Sequence, residues 1–178
     1  GKISVLVMVV SETGFAPALL TDAAKSLAQR LPVGLCLPVN GGPAQQATSL
    51  PTASELVDDE FLFMQAPRPH IIIIGAVHIS QHLASMAMQS GFDVTVIDPR
   101  RTFATVERFS GIRLVFDWPD RVLDEMALDH ETALVALTHD PKIDDAALHL
   151  VLGKPLFHIA CLGSRRTHAA RLERLAAA

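Results

Sequence analysis

Four short polar runs hold the residues with chemistry to offer: Gly75-Ala76-Val77-His78, Asp98 to Arg101, Thr138-His139-Asp140 and Gly163-Ser164-Arg165-Arg166. Each follows an apolar run of strand length. In an open parallel sheet ligands bind beyond the carboxyl ends of the strands, so four such turns would converge on one rim. The first run is an incomplete dinucleotide fingerprint, because a full G-x-G-x-x-G needs glycine where Val77 and Ser80 stand. The Val77 side chain takes space in which a pyrophosphate normally meets bare backbone. Asp98 follows Gly75 at close to the usual spacing for an acid that accepts from sugar hydroxyls, or is a strand-end turn residue beside Pro99. His78 stands at a helix start, where unpaired N–H groups and the helix dipole favour an anion. It reads equally as a local capping residue.

Gly163 to Arg166 offers two guanidinium groups, a hydroxyl and backbone donors at another helix start, which suits a phosphate; the alternative is solvated surface. Thr138-His139-Asp140 has the chemistry of a proton-transfer pair or a ligand contact. Asp140 as helix cap, with Asp144 and Asp145 as favourable first-turn charges, explains most of that run without chemistry. No convincing metal-ligand spacing is present, and His82, His130 and His149 read as helix-face or surface residues. Cys36 and Cys161 lie inside apolar runs and read as small hydrophobes.

The elements that must position these turns follow from hydrophobic periodicity. His70-Ile71-Ile72-Ile73-Ile74, bounded by Pro69 and Gly75, is predicted as a strand buried on both faces. A helix follows with Ile79, Leu83, Met86 and Ala87 on its apolar face and Gly91 at its end. Asp93 to Ile97, Arg113 to Phe116, Thr132 to Leu137 and Leu156 to Leu162 are predicted strands. Helices are expected from Pro119, from Pro141 to Leu152, and after Gly163, the last carrying Ala169, Leu172 and Leu175. Phe103 to Phe109 is expected to be irregular or helical. Alternating strands and helices with right-handed crossovers give a Rossmann-like doubly wound parallel sheet, an α/β fold.

Upstream, Ile3 to Val10 is predicted as a strand and Pro17 as the start of a helix facing inward with Leu19, Leu20, Ala23, Ala24, Leu27 and Leu31. Val33 to Val39, bracketed by prolines, is expected at a sheet edge, residues 40 to 52 as turn and loop, and Glu60 to Met64 as a short strand. Ala66-Pro67-Arg68-Pro69 reads as a linker. The expected organisation is a small N-terminal α/β subdomain over 1–66 and the Rossmann-like domain over 67–178.

A net charge of −4 and a pI near 6.0 leave no basic footprint for nucleic acid. Two cysteines fit reduced thiols in a cytoplasmic protein, and the longest apolar runs fall short of the roughly 20 residues of a membrane span. The apolar N-terminal strand and the edge-like Val33 to Val39 make a homodimer plausible.

Five ordered motifs carry a family resemblance: Gly75-Ala76-Val77-His78-Ile79, Val94 to Arg100, Phe103 to Phe109, Leu137 to Leu148 and Leu162 to His168. Together they resemble the Rossmann domain of the XdhC/CoxI family, accessory proteins of xanthine dehydrogenase and related molybdenum hydroxylases, over roughly residues 67 to 175. The resemblance implies a maturation chaperone, not an enzyme. Such a protein would bind molybdenum cofactor (molybdopterin), support its sulfuration with a cysteine desulfurase, and deliver it to the apo-enzyme. It also implies that the rim holds the pterin and its phosphate, with the His78 turn and Gly163 to Arg166 as anion donors. Residues 1 to 66 do not match the glycine-rich, cysteine-containing N-terminal domain usual in that family. The rival readings are an NAD(P)-dependent oxidoreductase, with Asp98 on ribose and His139 as acid/base, and a nucleotide-sensing regulatory domain.

Overall fold

A computed structural model of the chain describes residues 1–177. It divides into two compact units, Gly1–Pro67 and Arg68–Ala178.

In the first unit α1 (Pro17–Ala28) starts at a proline, whose fixed φ suits the first helical turn, and buries no residue completely. It accompanies four antiparallel strands, β1 (Val33–Pro38), β2 (Gln45–Gln46), β3 (Glu55–Val57) and β4 (Glu60–Gln65), in the order β2-β1-β4-β3. Two expectations are corrected here. The Val33 strand is interior, paired to β2 on one side and along its whole length to β4 on the other. Its prolines lie just before the strand and at its last position, so they do not interrupt the ladder. Ile3 to Val10 is not a strand: its one pairing is an isolated bridge from Val10 to Phe15. β-Branched composition favours extended backbone, but a strand also needs a neighbour to pair with. Ile3, Val5, Val7 and Val9 accordingly stand in solvent.

The second unit begins with β5 (His70–Ile74) and continues through α2 (His78–Gln89), β6 (Asp93–Ile97), β7 (Arg113–Val115) and α3 (Pro119–Asp124). It ends with β8 (Thr132–Ala136), α4 (Pro141–Val151), β9 (His158–Cys161) and α5 (Arg165–Ala176). The strands form one parallel sheet, β7-β6-β5-β8-β9. All five β5 residues are buried. Ile71 and Ile73 enter one core cluster with Val94, Val96 and Phe109, while Ile72 and Ile74 enter the other with Leu134, Leu148 and Val151. That division is the period-two alternation of a strand covered on both faces. The connection order reverses between β5 and β8, so the crevice beyond their carboxyl ends is the topological switch point.

Two helix faces differ from expectation. On α2 the buried residues are Ser80, Ala84 and Ala87, whereas Ile79 and Met86 are about half exposed. Small side chains let the helix lie close on the sheet, and the Ser80 hydroxyl donates to the Gly75 carbonyl. On α5 Leu172 is exposed and the buried residue is Arg171. Residues 103 to 109 form turns without a helix, with Phe109 as their anchor in the core.

Candidate functional site

Gly75 closes β5 with φ +106°, a backbone region that suits only glycine comfortably. A Cβ there would also lie 2.5 Å from the Thr138 methyl carbon, so the β5 and β8 turns abut with no room for a side chain. The Ala76 N–H then points at Asp98, donating to Oδ2 at 2.7 Å.

Asp98 is fully buried, and both of its oxygens are engaged inside the protein. Oδ2 also accepts from Arg100 Nη2 at 2.8 Å, and Oδ1 accepts from the Arg100 N–H and Nε, each at 2.9 Å. Burial pushes the carboxyl upward, but the Arg100 side chain and the two backbone donors outweigh it and hold the group below the ordinary carboxylate range. The expected ribose acceptor thus has its lone pairs taken by Arg100 and the Ala76 amide. Arg100 stacks over the Phe103 ring, 4.6 Å from its centroid, and its Nη1 has no partner among the described residues. The guanidinium is raised in pKa, first by its bond to Asp98, and feels the Asp140 and Asp144 carboxylates as well. Arg100 lies beside the β5 turn, sharing Asp98 with the Ala76 amide.

The β8 turn is built around Asp144, which is 1% exposed. It accepts from the Thr138 hydroxyl at 2.6 Å, the Thr138 N–H at 3.3 Å and the His139 N–H at 3.1 Å. Asp140 caps α4 by accepting from the Lys142 N–H, as expected. His139 is held with φ +62°, an unusual conformation for a non-glycine residue, and is exposed. Asp144 thus does more than stabilise a helix dipole: it fixes the whole turn. Across from it Arg171 is 3% exposed, lies 3.6 Å from Asp144 and donates to the Leu162 carbonyl at 3.2 Å. Its Nε and Nη1 have no partner among the described residues. Arg174 pairs with Asp145, making a second tie between α4 and α5.

Gly163, Ser164, Arg165 and Arg166 are exposed at the start of α5. The Ser164 hydroxyl caps the helix by accepting from the Thr167 N–H at 3.1 Å. Arg165 and Arg166 make no hydrogen bond or ion pair with the described residues. At the start of α2 the cap position belongs to Val77, with no side-chain bond, so His78 is not the cap. The His78 and Ile79 N–H groups are therefore left for a ligand, while the Ser80 N–H donates to the Val77 carbonyl at 3.2 Å. The exposed His78 ring stacks on His82 with centroids 5.0 Å apart.

The first turn thus meets both the second, through Ala76 and Asp98, and the third, through Gly75 and Thr138, and the fourth connects to the third through Arg171 and Asp144. Asp144 and Arg171 were not expected as site residues. Arg171 lies four residues before Leu175 on one helix stripe, but a charged side chain in that stripe reads from sequence as solvated. Both thiols, Cys36 and Cys161, are pushed up chiefly by burial, which disfavours a thiolate nucleophile. No cluster with metal-holding geometry occurs among the described residues, and none of their helices is long and apolar enough to cross a membrane.

These features define a Rossmann-type domain whose candidate crevice is lined by helix-start amides and arginines, with its strand-end acid paired internally. The family described as the XdhC Rossmann domain matches residues 71–178, and the chain belongs to it. A probable xanthine dehydrogenase subunit from Bacillus subtilis is 31% identical over 99 residues, 55% of this chain and 30% of that protein. A crystal structure of a xanthine dehydrogenase from Bacillus halodurans superposes with a TM-score of 0.71 at 20% identity, over 89% of this chain and 57% of that one. The second likeness is one of fold. The chain spans about a third of the curated relative it matches and somewhat over half of the solved chain.

Proposed function

We propose that the chain is a maturation factor that binds molybdenum cofactor and serves a xanthine dehydrogenase-type molybdenum hydroxylase. It would support cofactor sulfuration with a cysteine desulfurase and insertion into the apo-enzyme. Family membership supports the association with xanthine dehydrogenase, and the observation that supports the ligand class is the internal neutralisation of Asp98 by Arg100. A crevice without a free carboxylate for ribose, with Val77 where a pyrophosphate needs glycine, suits a phosphorylated ligand other than a nicotinamide dinucleotide. The donors present fit the phosphate of molybdopterin: Arg100 Nη1, the His78 and Ile79 N–H groups at the start of α2, the Arg165 and Arg166 N–H groups at the start of α5, and the free Arg165 and Arg166 side chains. When bound, the group brings the molybdenum centre used by the hydroxylase. The residues of this chain bind its anion, orient it on the rim and leave it open for transfer. With both thiols pushed toward the protonated form, sulfur is expected to come from the desulfurase rather than from Cys161.

The test is anaerobic fluorescence titration of the 178-residue chain with molybdenum cofactor, NAD(H) and NADP(H). Micromolar cofactor binding without nicotinamide binding is the expected result, and nicotinamide binding alone would replace the proposal with an oxidoreductase or redox sensor. Replacing Arg165 and Arg166 by alanine should weaken cofactor binding by about 1.5–3 kcal/mol per charge-assisted hydrogen bond lost, with the circular dichroism spectrum unchanged. Undiminished affinity would return both arginines to solvated surface.

A further inference from the structure

Most Rossmann domains that hold a nucleotide keep an acid at the end of the second strand of the sheet's central unit, free to accept from a ribose diol. Here that position is Asp98, at the end of β6, and it is closed from within. Three of its four bonds come from Arg100 and the fourth from the Ala76 amide, and none of its surface reaches solvent. Arg100 in turn is fixed on both sides, by the bidentate carboxylate contact and by the Phe103 ring. A guanidinium held in this way has already lost its rotamer freedom, so its remaining edge, Nη1, is a preorganised donor. That edge belongs to a side chain 30% exposed, beside the β5 turn whose Ala76 amide shares Asp98 with it.

We propose that Arg100 converts the ribose-reading position of this fold into a phosphate-reading one, so that the crevice selects ligands by an anionic group and ignores a vicinal diol. The inference rests on the reading that the rim takes a phosphorylated ligand, and it names the residue that sets this specificity. Asp98 is the positioning residue, because it acts on ligand only by holding Arg100. Cofactor selectivity then follows from one ion pair. A dinucleotide with a free ribose diol loses its anchor at Asp98, and any dinucleotide loses its close backbone approach at Val77, whereas a phosphorylated pterin needs neither.

AMP and 2′-deoxy-AMP share phosphate and base and differ only in the diol, so their affinity ratio isolates the proposed property. Backbone amide shifts of the isotopically labelled full chain, followed during titration with each nucleotide, register weak binding at Gly75 to Ile79. The wild-type chain should bind both with equal affinity, and inorganic phosphate should displace both. In Arg100→Ala, phosphate affinity should fall by about tenfold or more, and AMP should now be preferred over the deoxy form by about tenfold, because Asp98 is released to accept from ribose. Arg100→Met keeps the apolar stem over Phe103 and serves if the alanine variant does not fold. A wild-type preference for AMP, failure of the wild-type chain to bind either nucleotide, or a folded variant with unchanged phosphate affinity or no diol preference would overturn the proposal. Absence of molybdopterin binding alongside the expected nucleotide results would instead sink the cofactor reading and leave the role of Arg100 standing.

Discussion

At the scale of single residues, Asp98 has a measurable signature apart from any ligand. Its folded-state pKa lies below the ordinary value, so its contribution to stability is fully present above the unfolded pKa of about 4. That contribution is lost as the pH falls through the folded value. Asp98→Asn has no proton to take up, and it weakens the bonds from Arg100 while keeping the volume. We expect it to cost about 2–3 kcal/mol in urea unfolding at pH 7, toward the lower end for breaking a buried ion pair because Arg100 can turn partly to water. The gap between wild type and variant should narrow below pH 4, and a pH-independent gap would show that the charge of Asp98 is not what stabilises it. Cys161 offers a second check at this scale. With burial as the main cause of its raised pKa, its reaction with a disulfide reagent should be slow at neutral pH and accelerate only above the ordinary thiol value of about 8.5. A fast reaction at pH 7 would reopen a role for it in sulfur handling.

At the scale of elements, the two turns at the switch point depend on each other. Gly75→Ala would have to bear a left-handed φ and push a Cβ into Thr138, and should cost about 2–4 kcal/mol by chemical denaturation. A near-neutral effect would mean that the β5 and β8 turns do not meet as described. Asp144 and Arg171 should likewise be coupled. Asp144→Ala orphans the donors of the Thr138 turn and leaves a buried guanidinium, for a cost of about 3–5 kcal/mol. Once Arg171→Met is present the same replacement should cost less, and additive costs in a double-mutant cycle would show the pair to be independent. The positions of these turns were legible in the sequence because apolar strands, glycines and the Asp140-Pro141 cap mark where strands stop and helices start. The pairing of Asp98 with Arg100, two residues apart, could not be read in the same way. That spacing alone does not say whether the arginine folds back or turns to solvent. On α2 the expected Leu83 and Ala87 do meet the core, but Ile79 and Met86 do not, because close helix–sheet packing selects the small Ser80, Ala84 and Ala87. Ile3 to Val10 has strand composition, but pairing depends on a neighbour that composition cannot supply.

At the scale of the whole chain, the two units carry very different cores. In the first, the buried apolar side chains among the described residues are Val33, Leu35 and Ala44, while Ile3, Val5, Val7 and Val9 are exposed. The second holds two clusters on either face of a five-stranded sheet, together with all four turns of the candidate site. A unit of under 70 residues with so little burial is expected to hold no more than about 3 kcal/mol of its own stability, whereas a 100-residue sheet domain ordinarily reaches about 5 kcal/mol or more. Local opening follows buried apolar contact. Native-state hydrogen exchange should therefore show β1 and β4 amides opening at a lower free energy than those of β5, β6 and β8. The difference should be about 2 kcal/mol or more and should persist as urea is added up to the main transition. Coincident protection across both sheets would mean that the chain unfolds as one cooperative body. The expected split has a functional consequence, since every residue assigned to the anion rim belongs to the more stable unit. A chain beginning at Arg68 should then keep a cooperative urea transition near that of the full chain and bind AMP with the same affinity. Loss of binding in that folded fragment would place part of the site in residues 1 to 67.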